Sequence, residues 1–217
     1  MKVEFKVKLR NLSSLTVGGG DIFGAADVPM NVFDLPASSV KGAMRTAISK
    51  FTPQGYTSCG EVRPEKLDVG DPCDVCRLFG RTGHWGDSCF TVTQVKTEEG
   101  ERKELLARVR IDRKSWKASK GGLFTQEVFG PKSEFTFLIT YHCDDRRLLK
   151  LLLYSISALR YWRLGRNAMI DLRIEDADSL CREICGDDQE MRELITSLGD
   201  FIWSLELLEG AERGERD

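Results

Sequence analysis

Four groups of residues in this chain have the types and spacing to do chemistry. The first is Cys73-Asp-Val-Cys76, whose two-residue gap lets two thiolates hold one ion. Cys59 is the natural third ligand, and His84 and Cys89 are the candidates for the fourth place on a tetrahedral zinc. The second is Gly18-Gly19-Gly20, a run that lets the backbone turn sharply and come close to a ligand. The third is Pro36-Ala-Ser38-Ser39-Val-Lys41-Gly-Ala-Met-Arg45, which opens a helix. Ser38 or Ser39 would cap it, and Lys41 and Arg45 lie four apart on one face. Free N–H groups, hydroxyls and two cations at a helix start suit a phosphate, although a capped surface helix with solvated cations fits the same spacing. The fourth is the basic segment Arg110, Arg113, Lys114, Lys117 and Lys120 around Trp116. Cations can track phosphates while an aromatic ring stacks on or wedges between bases; a solvated hairpin anchored by one tryptophan is the alternative. Three loop carboxylates, Asp21, Asp27 and Asp34, lie between the glycines and the helix, and residue physics alone does not rank them.

These groups need elements to position them. Val3, Phe5, Val7 and Leu9 alternate with charged residues, which predicts a half-buried strand rather than a signal peptide. Val40, Met44, Ala47, Ile48 and Phe51 give the following helix an apolar face. Residues 53–90, rich in Pro, Gly and Asp, read as an irregular insertion that a metal would staple. Phe90 to Val95 and Leu105 to Ile111 are extended, and Phe135, Phe137, Ile139 and Tyr141 alternate as a strand. Leu148 to Leu159 is a core helix; Arg160, Arg163 and Arg166 surround Gly165; Ile170, Leu172 and Ile174 make a closing strand. Residues 188–209 predict one amphipathic helix, followed by a frayed acidic tail.

The chain has 217 residues, 41% hydrophobic, with a formal net charge of −2. That is enough for one substantial domain, and it gives no global basic signature, although Arg and Lys cluster at 101–120 and 160–166. No run of eighteen apolar residues would span a membrane. Seven cysteines without a signal segment predict free thiols or metal ligands in a cytoplasmic protein rather than a disulfide framework.

The wording of the motifs adds a resemblance. Pro36 to Arg45 closely resembles the Pro-Gly-Ser-Ser-Leu-Lys-Gly-Ala-Leu-Arg motif of the RAMP superfamily, the repeat-associated proteins of CRISPR systems. Within it the chain is similar to the backbone subunit of type III effector complexes. Cys73-Asp-Val-Cys76-Arg-Leu-Phe-Gly80 resembles that family's Cys-x-x-Cys-Arg-Leu-Phe-Gly element. Arg110-Ile-Asp-Arg113 with Leu123-Phe-Thr-Gln-Glu127-Val resembles its thumb, and Gly24-Ala-Ala-Asp27-Val-Pro resembles the loop that holds its cleavage aspartate. The likeness runs from the first strand to about residue 140 and is weak beyond.

The resemblance implies a single α+β domain over residues 1–217, with an RNA-recognition-motif-like (ferredoxin-like) core. To this it adds a zinc-stapled lobe at 53–90 and a thumb β-hairpin at 106–132. It implies a structural zinc in that lobe, for which spacing offers Cys59, Cys73 and Cys76 with His84 as a candidate fourth ligand, and RNA contacts at Gly19, Gly20, Ser38, Ser39, Lys41, Arg45, Arg110, Arg113, Trp116 and Lys117. Arg163 and Arg166 fall where the family has a glycine-rich loop near RNA, of which only Gly165 is kept. It also implies head-to-tail copies on a guide CRISPR RNA, in complex with other CRISPR effector subunits of an antiviral defense system. Complementary target RNA would be cleaved by a metal-dependent endoribonuclease centred on Asp27 with Mg²⁺ or another divalent ion. A non-catalytic guide-binding scaffold is the alternative. A guide-processing nuclease would want a well-placed histidine, and neither His84 nor His142 is one.

Overall fold

The strand β1 (Val3–Asn11) is the one that the rest of the sheet forms around. Its odd-numbered side chains are buried and its even-numbered ones face outward, as its alternation requires. The computed structural model describes residues 2–19, 26–61, 71–81, 88–93 and 95–203. After β1 come α1 (Ala37–Lys50), α2 (Asp74–Phe79), β2 (Phe90–Val92), β3 (Lys96–Thr97), β4 (Lys103–Ile111), β5 (Ala118–Phe129) and β6 (Glu134–Tyr141). Then follow α3 (Arg146–Leu159), β7 (Arg163–Leu164), β8 (Ala168–Ile174), α4 (Ala177–Ile184) and α5 (Gln189–Ser197).

The main sheet is antiparallel in the order β2-β6-β1-β8-β7, with β3 also on β6. Register puts apolar residues in rows: Phe137, Val7 and Ile174 in one, Phe135, Leu9 and Leu172 in the next. On these rows pack α1, through Val40, Met44, Ala47 and Ile48, and α3, through its leucines. Asp145 caps α3 by accepting from the N–H groups of Arg147 and Leu148. The mixed α+β fold is therefore a curled antiparallel sheet with two main helices on one face.

β4 and β5 form a separate two-stranded hairpin. It stands away from the body, with Leu105, Val109, Ile111 and Leu123 exposed. It is held at its base, where Leu15 and Phe129 exchange backbone hydrogen bonds of 2.9 Å and Val28 pairs with Gln126.

Beyond β8 the chain departs from the single helix expected at 188–209. α4 forms at 177–184, α5 ends at Ser197, and residues 198–203 are not helical; 204–209 lie outside the described residues. The reason is a better use for this segment over the outer face of the sheet. The Arg10 guanidinium lies 4.0 Å from the Phe201 ring centroid and donates to the Trp203 carbonyl, while the Trp203 N–H donates to Asp171. Beneath it Arg160 is buried, its Nε 3.3 Å from Asp171 Oδ1, with further bonds to the carbonyls of Leu172, Ser197 and Asp200. Arg160 therefore holds the fold together and has no free face for RNA.

The cysteine expectation is corrected too. Cys89 is bonded to Cys143 and Cys181 to Cys185. β2 and β6 pair at Phe90 and Tyr141, which brings the flanking Cys89 and Cys143 to a Cα separation of 5.0 Å, within disulfide reach.

The turn between β7 and β8 passes against the loop that follows β1. Gly165 has φ +55°, and a Cβ there would sit 2.2 Å from the Thr16 carbonyl oxygen. Gly165→Ala is expected to cost more than about 1 kcal/mol. Thermal unfolding should then move down by about 3 °C or more; an unchanged midpoint would show that the turn can shift away from Thr16.

Candidate nucleic-acid interface

The loop after β1 and the segment 26–31 run side by side onto the base of the hairpin. Gly19 N–H donates to the Pro29 carbonyl and Asn31 N–H to the Val17 carbonyl. Thr16 Oγ1 donates to the Glu127 carbonyl, Gln126 Nε2 donates to Thr16 Oγ1, and Met30 N–H donates to the Glu127 carboxylate. Gly19 is glycine because Met30 O and Asn31 Cα would lie 3.0 and 3.1 Å from its Cβ. Its close approach is thus to this chain's own backbone. Gly20 and Asp21 lie outside the described residues.

Asp27 is fully exposed at this junction. One carboxylate oxygen, Oδ2, accepts from the Thr125 N–H at 2.7 Å and from the Thr125 hydroxyl at 3.0 Å. The other has no partner among the described residues. Those two donors hold the Asp27 carboxyl below its ordinary value. Asp34 is committed elsewhere, since its carboxylate meets Lys103 Nζ at 2.6 Å and accepts from Thr97. Of the two described candidates, Asp27 therefore has an oxygen open to a ligand. Thr125, which positions it, was not legible in the sequence.

The hairpin tip is built by Asp112. Its Oδ1 accepts from Lys114 N–H and Ser115 N–H, at 3.0 and 2.7 Å, and from the Ser115 hydroxyl. The Ser115 donors hold this carboxyl low as well. Trp116 sits on the tip with φ +55° and 84% of its surface exposed. Arg110, Arg113 and Lys117 are exposed around it, and so are Arg163 and Arg166 at the Gly165 turn. The Arg166 N–H donates to the Thr16 carbonyl, which joins that turn to the Asp27 layer.

The start of α1 differs from expectation. Pro36 occupies the N-cap position and no side chain caps the helix. Ser39 and Val40 N–H turn back to the Pro36 carbonyl, so Ala37 and Ser38 N–H keep no intrahelical partner. Lys41 and Arg45, however, point into the insertion. Lys41 Nζ donates to Ser88 Oγ at 2.6 Å and to the Phe90 carbonyl at 2.9 Å, and burial followed by the charge of Arg45 lowers its pKa. Arg45 donates to the Gly80 carbonyl at 2.7 Å and to Cys76 Sγ at 3.3 Å. Both cations clamp α1 to the insertion instead of lying free for phosphate, because the same helical spacing that separates them from the core also faces them to this lobe.

The insertion is less irregular than its composition implies. α2 carries Cys76 inside its first turn, and Cys73 is its N-cap. Asp74 fastens it: Thr57 N–H and hydroxyl donate to the carboxylate at 2.8 and 2.9 Å, and Arg147 reaches it at 2.9 Å. Burial raises the Asp74 carboxyl, but these partners outweigh that and the net shift is downward. The sulfurs of Cys59, Cys73 and Cys76 lie within 4.8 Å of one another, with Cys59 and Cys76 at 3.7 Å. The edge of a tetrahedral zinc thiolate site is about 3.8 Å for ordinary Zn–S bonds, so the three sulfurs fit such an ion. Burial raises the Cys73 thiol, yet the N–H groups of Cys76 and Cys59 bring it down overall. Burial and the neighbouring sulfurs push Cys76 up to about 12. Cys89 is excluded as fourth ligand by its disulfide, and His84 lies outside the described residues.

No helix among the described residues is long and apolar enough to cross a membrane. Comparison with curated proteins finds no match. Among solved structures, 182 chains match. One belongs to the cryo-EM structure of the Type III-B Cmr-beta bound to cognate target RNA, at 17% identity and a TM-score of 0.54, over 80% of this chain. This chain spans about 60% of that chain's length, and the likeness is one of fold. The family model of the RAMP superfamily matches residues 8–169, three quarters of the sequence, and with the motifs and the fold now in place the chain belongs to the RAMP superfamily.

Proposed function

We propose that this chain is an RNA-binding subunit of a type III CRISPR effector complex, that copies of it line a guide RNA head to tail, and that it cuts complementary target RNA at Asp27. The observation that carries the cleavage reading is the Asp27–Thr125 pair: an ionised carboxylate fixed through one oxygen, with the other open, at the root of an exposed hairpin. The strand order β2-β6-β1-β8, with α1 and α3 as crossovers, supports the RNA-recognition-motif-like core. The hairpin supports the role of thumb, with Trp116 as the wedge and Arg110, Arg113 and Lys117 on phosphates. The Ala37 and Ser38 N–H groups, the Ser38 and Ser39 hydroxyls, Arg163 and Arg166 extend that track. Base pairing with the guide supplies specificity, as in other RNA-guided systems.

A splayed target nucleotide would present its ribose 2′-oxygen in line with phosphorus. A divalent ion would stabilise the developing negative charge and the leaving oxygen. Asp27 would hold that ion in part, and Thr125 would keep the carboxylate aimed. Zinc on Cys59, Cys73 and Cys76 would staple the insertion.

The scaffold reading is favoured by one observation: an aspartate bonded to a threonine N–H and hydroxyl can serve as a loop anchor alone. The assembled guide-bound complex separates the two on labelled complementary RNA. Evenly spaced cuts that need Mg²⁺ are expected; tight binding with no cuts would leave the scaffold.

A further inference from the structure

We propose that Arg45 is the outer-sphere positioning residue of the cysteine metal site, its guanidinium holding the Cys76 sulfur in place as a thiolate ligand. This rests on the metal reading given above.

The three sulfurs are served unequally. Cys73 Sγ receives two backbone N–H groups, from Cys76 at 3.4 Å and from Cys59 at 3.3 Å. Cys59 is exposed, so water can reach it. Cys76 is buried and lies within α2, where the backbone donors are spent on the helix and its cap. A donor for its sulfur has to come from a side chain, and Arg45 supplies it at 3.3 Å. A buried thiolate without a donor is costly, and a charge-assisted bond to sulfur both favours the deprotonated ligand and fixes its direction.

The geometry uses both arms of the guanidinium. Nη1 binds the Gly80 carbonyl, at the end of α2, while Nη2 binds the sulfur. The fork therefore measures the distance from the ligand to the end of its own helix. Lysine has three donors but on a single nitrogen at the end of a flexible stem, and it lacks the planar fork that presents two separate N–H groups to the two acceptors. The guanidinium comes from α1, so the metal lobe is referenced to the core helix rather than floating on its loop.

The test is titration of Co²⁺ alone into the full-length, metal-free, reduced protein, read by the thiolate-to-cobalt charge-transfer band. Wild type is expected to give the band. Arg45→Met should bind Co²⁺ about 10–100-fold more weakly. In its loaded fraction the band should move to longer wavelength, because a sulfur that has lost its donor gives up charge more readily. Arg45→Lys should fall between, and it decides the matter if circular dichroism shows Arg45→Met to be unfolded. Equal affinity and an unmoved band in Arg45→Lys and any folded Arg45→Met would overturn the inference. So would unchanged cobalt binding together with a salt slope for guide binding lowered by about one, which would make Arg45 a phosphate ligand. Absence of any band in wild type would end the metal reading itself.

Discussion

Asp27→Ala is expected to lower target-RNA cleavage by about 10²–10³-fold, the usual loss when one charge-stabilising group leaves a reaction centre. Guide binding should stay within about twofold, because the residue is fully exposed and its loss strands no buried group. Asp27→Asn sharpens the result. An asparagine oxygen can still accept from Thr125, so the loop should keep its shape while the charge is gone. If the asparagine variant cuts at the wild-type rate, Asp27 is an anchor and not a metal-binding group. The downward shift of this carboxyl has a pH consequence. Asp27 stays ionised to below the ordinary aspartate value of about 3.9, so a loss of cleavage at mildly acidic pH would have to come from another group.

Asp171→Ala should be the most damaging single change to stability, by about 3–5 kcal/mol in urea unfolding. Asp171 is fully buried against Arg160, whose side chain is almost as deeply enclosed. Removing the carboxylate leaves a guanidinium in a low-dielectric site with only carbonyl partners, and frees the Trp203 N–H at the same time. Burial already lowers the Arg160 pKa, the mark of a charge held where solvent cannot help it. A cost under about 1 kcal/mol would mean that the carbonyls of Leu172, Ser197 and Asp200 carry that charge without the ion pair.

The parts of the fold with a strict period were legible. β1 and β6 alternate because one face meets the core, and α1 shows its buried stripe in Val40, Met44, Ala47 and Ile48. Partnership was not legible. The spacing of Lys41 and Arg45 is the same whether they meet phosphate or a folded insertion, and only the insertion's path decides it. The Cys89–Cys143 bond depends on the pairing of β2 with β6, across 54 residues of sequence. α2 was hidden by the Pro, Gly and Asp around it, and the end of α5 by apolar residues such as Leu198 and Ile202 that continue a helical pattern without forming helix. At the candidate site the three cysteines were readable from a pairwise spacing and one neighbour. The Thr125 partner of Asp27 lies 98 residues away and left no local trace.

The central place of β1 also governs how the chain comes off the ribosome. Its two neighbours pair Val3 with Tyr141 and Leu9 with Leu172, so β1 has no sheet partner until β6 (Glu134–Tyr141) has been translated. At cellular elongation rates of about 5–20 residues per second the wait is roughly 6–26 seconds. For that time Val3, Phe5, Val7 and Leu9, all buried in the folded chain, have no apolar cover, and transiently exposed surface of that kind is what makes a folding chain prone to aggregate.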